Sequence, residues 1–426
     1  MTGHGVSTLG RARETGFFYG YIVVVAAFCS QGIFWGTYQS FGVFFKPLIG
    51  EFGWSRAAIS GAASLCWLLT GFISIAAGTL SDRFGPRRVM TGCGFLFGLA
   101  YLLMSQVTSI WQLYLYYSLI IAIGMSAADV VPLSTVSRWF VKKRGVMTGI
   151  TKVGTGTGMM AIPLVASRLV AGYGWRTAYA ILGAGGLIAL VSVAQLFKRD
   201  PAEIGQSADG EEKGDANRSD LVEAGLSLRE AIHLRQLWTV CAAYLCVTFC
   251  VQTLMVHIVP HAEDMGISPA DAANVLSTIG GVSIAGRLVM GKLGDKIGHE
   301  RAMAICFLPA LGALFWLQMA KDLWMLYLFA AIYGFGHGGF FALISPLMAQ
   351  LFGTKSQGAI FGIAIAVGAV GGAVGPLLAG HMFDTTGSYR IPFLIVAGLI
   401  TIALILIMSL GSPSRKGKAS GLVSTV

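Results

Sequence analysis

Charge is what this chain has least of. Of its 426 residues only 12% are Asp, Glu, Lys or Arg, while 55% are hydrophobic. Soluble domains carry about 25% charged residues, so a soluble globular enzyme is excluded as the body of the chain. Polar stretches are as scarce, and only 198–236 is long. A mean hydropathy of +0.71 is sustained over the whole length. Since a helical crossing takes about 20 apolar residues, the composition predicts many bilayer crossings rather than one anchor. Cysteine pairs are also missing. The seven cysteines all lie in apolar runs and no Cys-x-x-Cys occurs, which excludes a disulfide framework and a zinc site and leaves small apolar side chains. No G-x-x-x-x-G-K-[ST] loop is present, so nothing supports direct use of ATP. Neither metal, nor cofactor, nor a catalytic set is expected, because polar residues inside the apolar runs are scattered singly.

What is there is a series of twelve apolar runs, near 18–45, 57–80, 89–107, 110–135, 145–170 and 177–197, then 237–263, 269–292, 301–320, 323–350, 357–381 and 389–410. They predict an all-α integral membrane protein organised as 1–197, a six-helix bundle; 198–236, a linker; and 237–426, a second six-helix bundle with a short tail. Twelve crossings bring both ends to one face. Of the thirty Lys and Arg residues, twenty-two fall in the loops and ends of that face and six in the loops opposite. The richer face is predicted to be cytoplasmic, in a cell membrane. The net charge of +10 is thereby assigned to topology, and no nucleic-acid partner is expected. The linker holds nine acids and is poor in aromatics, which predicts a disordered middle. Its end, Ser227-Leu-Arg-Glu230, has capping-box spacing for a short helix leading into the seventh run.

Three ionisable residues fall well inside the runs: Asp129, Lys152 and Arg287. Charges at that depth cost about 2.5–3.5 kcal/mol on insertion scales and mark functional positions. Asp129 lies eleven residues before Phe140 and Lys152 twelve after it. Antiparallel fourth and fifth spans therefore place them at similar depth, where they can pair, either as a structural staple or as a titrating pair that handles protons.

The chain repeats itself. Gly78-x-x-x-Asp82-Arg83-x-Gly85-x-Arg87-Arg88 returns 213 residues later as Gly291-x-x-x-Asp295-Lys296-x-Gly298-x-Glu300-Arg301, and Gly145/Gly358, Gly149/Gly362 and Pro163/Pro376 keep the same offset. Two halves of like orientation follow. Each Asp is in position to cap a neighbouring helix, and each loop to latch the gate of its face. The repeated motif resembles that of the major facilitator superfamily. The resemblance covers the whole chain and implies two pseudo-symmetric six-helix halves that rock about a central site.

Within that superfamily, Trp139-Phe140-Val141-Lys142-Lys143-Arg144-Gly145-Val146-Met147-Thr148-Gly149 is similar to the fifth-span signature of the monocarboxylate transporter family, which includes oxalate/formate antiporter-like bacterial members. Gln31-Gly32-Ile33-Phe34-Trp35-Gly36 partly meets its first-span signature, with Gln31 standing where an acid is usual. The resemblance places the family's eighth-span arginine on Arg287. A guanidinium there offers a carboxylate two parallel donors; the alternative is a side chain reaching back to the cytoplasmic edge. Ser283 and Gln39 stand where animal members carry an Asp and a Lys, and span 11 lacks the second cation of oxalate exchangers. With Asp129 and Lys152 paired, Arg287 remains as one positive charge, which a monoanion neutralises.

Further cavity candidates are Tyr114 and Tyr117, as carboxylate donors or interface anchors; Asn274; Tyr333 with His337; and His257, either a packing residue or one that titrates. The expected function is secondary active transport of small lactate- or pyruvate-like carboxylates, with a proton as partner, by a chain acting as a monomer. The alternatives are an organic anion exchanger, a drug or other solute antiporter, and a non-transporting solute sensor on the same fold.

Overall fold

The computed structural model describes residues 18–140, 143–210, 226–353 and 357–410. Span 1 consists of Gly20–Gln39 and Phe41–Phe52, span 2 of Arg56–Phe84 and span 3 of Pro86–Met104. Span 4 runs Ile110–Trp139. Arg144–Ala194 carries spans 5 and 6, broken at Gly174, whose φ of 78° is left-handed. Spans 7 to 12 are Arg235–Asp264, Pro269–Ile297, His299–Met319, Leu323–Phe352, Gln357–Thr386 and Arg390–Met408. Among the described residues ten helices qualify as crossings by length and apolarity alone. Spans 5 and 6 form one continuous helix in that count, and span 3 falls short because its first turn carries Arg87 and Arg88. Most spans outrun the apolar stretches that predict them: 33 residues in span 1 extend about 50 Å at 1.5 Å per residue, so their polar ends stand outside a hydrocarbon layer of about 30 Å.

Each half has its own core. One packs Val23 to Phe197, the other Ala231 to Ile407; Val256 and Ala273 join the first core and Met159 the second, so each half lends side chains to the other. Within the halves, spans 1 and 5 cross so closely that a Cβ on Gly32 or Gly158 would meet the facing backbone. The equivalent crossing of spans 7 and 11 sets Gly371 and Gly375 against the carbonyls of Leu245 and Phe249. The Gly371-x-x-x-Gly375 spacing thus serves close helix packing, as small-residue interfaces do in membranes. Between the halves, span 2 lies along span 11 and span 5 along span 8.

Span 4 is irregular in its first half, where it packs on span 2. A π-helical turn, Tyr114–Ile120, precedes Ile121–Met125 and Ala127–Trp139, and such turns recur at functional positions. The linker's ends are docked. Trp139 Nε1 donates to Lys198 O at 2.9 Å and the Tyr19 N–H to Gln206 at 3.1 Å, while the Leu226 N–H donates to Phe352 O at 2.8 Å. The predicted capping box is present: Ser227 and Glu230 exchange bonds at the start of Leu228–Ala231. The middle of the linker, 211–225, for which composition predicts disorder, lies outside the described residues, as do Lys142 and Lys355.

Candidate functional site

Spans 4 and 5 bring Asp129 and Lys152 together at 2.5 Å, both side chains half-exposed. The same carboxylate oxygen accepts Gln31 Nε2 at 2.8 Å and Trp35 Nε1 at 3.2 Å. Gln31 is itself fully used, since its amide N–H₂ also donates to Ala128 O and its carbonyl accepts from Thr155 Oγ1. The residue standing in place of the usual first-span acid therefore touches Asp129. In this chain the acid is carried by span 4, and the neutral Gln31 avoids placing two carboxylates side by side.

Arg287 of span 8 reaches toward span 5, where Gly156 leaves room for it: a Cβ there would lie 2.7 Å from Nη1. Asp129 is the acid whose charge acts on it, but Lys152 has already claimed that acid. Arg287 Nε and Nη1 are buried and meet no hydrogen-bond acceptor among the described residues. His337 of span 10 lies within reach of the Arg287 charge, and its Nδ1 is also buried without a partner among the described residues. Its ring stacks on Tyr333 at 6.2 Å and meets the edge of Phe341 at 5.1 Å. The centre thus holds a neutralised acid–base pair beside a guanidinium with free donors, a combination that binds one carboxylate.

Several residues singled out from the sequence stand elsewhere. Tyr114 donates to Ala58 O at 2.9 Å, fastening span 4 to span 2. Tyr117 is fully buried against Phe41 and Tyr38 inside the first half. Asn274 lies thirteen residues from Arg287 on the same helix, about 20 Å along it. His257 belongs to a different cluster. Because Pro376 O only accepts, the proton of His257 sits on Nε2, which donates to that carbonyl at 2.9 Å with Ser60 Oγ at 3.2 Å. Nδ1 then accepts from Tyr389 Oη at 3.0 Å, and that oxygen accepts from Arg56 Nη1 at 2.6 Å.

Around this chain of bonds the halves are clamped together on the face opposite the chain ends. Arg56 pairs with Asp264 at 2.8 Å and lies 3.7 Å above the Phe383 ring. Lys46 reaches Asp264 at 2.8 Å and Glu263 at 3.8 Å. Asp384 accepts the backbone N–H groups of Arg56 and Ala57 at 3.0 and 2.8 Å, capping span 2 from the other half. The sequence signal for this clamp is a short set of cations at the ends of spans 1 and 2 and of acids at the ends of spans 7 and 11. Counting charge for orientation hid their pairing.

On the face of the chain ends the repeated motif takes the same turn twice, with φ of 89° at Gly85 and 94° at Gly298, a conformation only glycine adopts freely. Gly78 packs on Val130, Arg83 lies 5.2 Å over Phe84 and Arg87 donates to Gln195 at 2.7 Å. Arg88, Lys296 and Arg301 are exposed. The expected capping by the motif acids is replaced by ion pairs. Asp82 accepts from Arg138 of span 4, and the following helix, Pro86–Met104, starts without a side-chain cap. Asp295 stands 3.6 Å from His299, whose Nδ1 meets Gln350 at 2.8 Å.

The family profile described as Major Facilitator Superfamily matches residues 23–308 and 240–424. Monocarboxylate transporter 13 of Bos taurus is 30% identical over 396 residues, covering 90% of this chain and 87% of that protein. The chain belongs to the Major Facilitator Superfamily, among the monocarboxylate transporter-like members. It is a transporter and a membrane protein, not an enzyme. Monocarboxylate transporter 13 of Rattus norvegicus is likewise 30% identical, over 390 residues, with the same coverage of both chains. A bacterial homolog to the human lysosomal transporter Spinster, solved in an inward-facing and occupied conformation, superposes with a TM-score of 0.76 at 15% identity, over 94% of this chain and 100% of that one. At that identity the likeness shows the fold.

Proposed function

We propose that this transporter moves small monocarboxylates, lactate- or pyruvate-like acids, together with a proton, by alternating access and as a monomer. The moving bodies are 1–197 and 237–426, tethered by 198–236. The face of the chain ends is cytoplasmic in a cell membrane. One observation carries the substrate class: buried Arg287 donors without acceptors, beside an Asp129 already neutralised by Lys152. The names of the relatives support the same class. The membrane-depth sum of charges is one positive, so a bound monoanion brings it to zero, and a neutral core reorients through low dielectric most easily. For the empty carrier to return, a proton leaves the Asp129–Lys152 pair, since His257 is already neutral with Nε2 donating to Pro376 O, and this gives symport; exchange of one anion for another avoids the empty return.

The test is uptake of labelled lactate and oxalate into proteoliposomes, with and without a pH gradient, at clamped potential. Lactate is expected to enter faster than oxalate, without current, and faster with an inward proton gradient. Arg287→Ala and Arg287→Lys should each weaken lactate binding roughly tenfold to a hundredfold, the effect of one or two charged hydrogen bonds. Dianion preference, a lactate current, or normal affinity in the alanine variant overturns the proposal. Binding without counterflow would indicate the sensor instead.

A further inference from the structure

We infer that the Trp67 indole and the Gln252 amide form a polar roof over the Arg287 site that reads a hydroxyl on the substrate's carbon chain; this rests on the monocarboxylate reading above. Gln252 is only 2% exposed. Its Oε1 is buried and accepts no hydrogen bond among the described residues, and Trp67 Nε1, also buried, donates none. Unpaired buried polar groups are destabilising and rare, and here a donor and an acceptor stand unpaired in one place.

The two side chains come from opposite halves, spans 2 and 7, and flank Gly372 of span 11. A Cβ on that residue would run into Trp67 Nε1 and come within 3.0 Å of Gln252 Cγ, so glycine there lets both side chains come together against span 11. Tyr38 Oη takes up Gln252 Nε2 at 3.4 Å, which leaves Oε1 as the free end of the amide. The Trp67 ring lies 5.9 Å from the Trp35 ring, and the indole N–H of Trp35 is already engaged by Asp129. The pair therefore sits one aromatic layer beyond the charged centre, toward the clamped face. A substrate whose carboxylate lies on Arg287 directs its other end there.

The chemistry selects among groups at that end. A methyl answers neither partner. A ketone oxygen accepts from Trp67 but repels the Gln252 carbonyl. A hydroxyl accepts from the indole N–H and donates to the amide oxygen at once, so it satisfies both. No bond is made or broken; the gain is confined to binding.

The experiment measures affinities of the purified full chain in lipid nanodiscs for propionate, lactate and pyruvate, and for butyrate and 3-hydroxybutyrate. At least one hydroxy acid is expected to bind about tenfold more tightly than its parent acid, and lactate more tightly than pyruvate. Trp67→Phe and Gln252→Met, which keep ring and volume, should erase that advantage while leaving the parent acid within about twofold. Propionate binding that still depends on Arg287 reports that each variant is folded. Equal affinity for hydroxy and parent acids, a preference for pyruvate, or variants that weaken all acids alike overturns the roof. If propionate nonetheless binds through Arg287, the monocarboxylate reading stands without it; if no acid binds the native chain, both fall.

Discussion

The two faces of the molecule use ion pairs in opposite ways. On the face away from the chain ends, Arg56 and Lys46 of one half hold Asp264 and Glu263 of the other, and Asp384 crosses the seam to cap span 2. On the face of the chain ends, Asp82 pairs with Arg138 inside the first half and Asp295 with His299 inside the second. Bonds across the seam oppose separation of the halves; bonds within a half only stiffen it. The distribution of partners, more than the number of charges, sets which face is shut. The same comparison explains why His257, buried at the heart of the clamped seam, lies apart from the half-exposed Asp129.

The comparison breaks most visibly at Arg56. Its side chain is 11% exposed and joins Asp264, Tyr389 and the Phe383 ring. Removing one partner from a largely buried pair costs about 3–5 kcal/mol, which at 1.4 kcal/mol per decade is roughly a hundredfold to several-thousandfold shift toward opening on this face. Arg56→Ala should therefore expose Ser60, which is fully buried beneath the clamp. In a cysteine-free background carrying Ser60→Cys, thiol labelling should accelerate by at least tens of fold, and Arg56→Asp combined with Asp264→Arg should slow it again. Unchanged labelling would mean that the clamp does not hold the seam.

Between the faces, Asp129 sharpens the point. Asp129→Asn leaves Lys152 and Arg287 as two unbalanced cations, so lactate transport should fall about tenfold to a hundredfold while affinity for oxalate rises, the effect of a lost charge pair. Asp129→Asn with Lys152→Met restores a single positive charge and should restore preference for the monoanion. Persistence of the oxalate preference in the double variant would contradict the charge balance.

The architecture was legible in the sequence because its signals are long. Twelve apolar runs, the biased cations and the 213-residue repeat each average over many residues, and a shift of a few positions alters none of them. The Asp129–Lys152 pairing was legible too, since offsets of eleven and twelve residues from Phe140 in antiparallel helices leave little freedom. The clamp was hidden because its partners lie up to 333 residues apart, as Arg56 and Tyr389 do, and no local spacing records a contact across the seam. Tyr114 misled for a related reason. Three residues apart, Tyr114 and Tyr117 would share a face of a regular helix, and the π-helical turn that begins at Tyr114 changes the faces.

On the face of the chain ends the expected effects are smaller. Asp82 and Arg138 are 63% and 30% exposed, and pairs of that kind contribute about 0.2–1 kcal/mol. Asp82→Asn should lower turnover about threefold to fivefold at unchanged KM, because the pair positions span 2 on span 4 without touching the site. Counterflow rates read against equilibrium affinity separate the two quantities. A loss of affinity with normal cycling would place Asp82 in the site.

The second copy of the motif should respond least, and the comparison within the repeat says why. Asp295 is 78% exposed and its partner is a histidine at 3.6 Å rather than an arginine, and that histidine is also held by Gln350 at 2.8 Å. Removing the acid leaves His299 bonded and Gly298 in the same left-handed turn. Asp295→Asn should therefore change turnover by less than about twofold, within the lower range of exposed pairs. Asp295→Asn combined with Asp82→Asn should reproduce the Asp82 effect alone, as independent sites in separate halves do. The measurement is counterflow of both single variants and the double variant in one preparation. If Asp295→Asn slows cycling as much as Asp82→Asn, or the double variant falls well below either, then the two motifs act on one shared gate and the ion pairs of this face do more than stiffen their own halves.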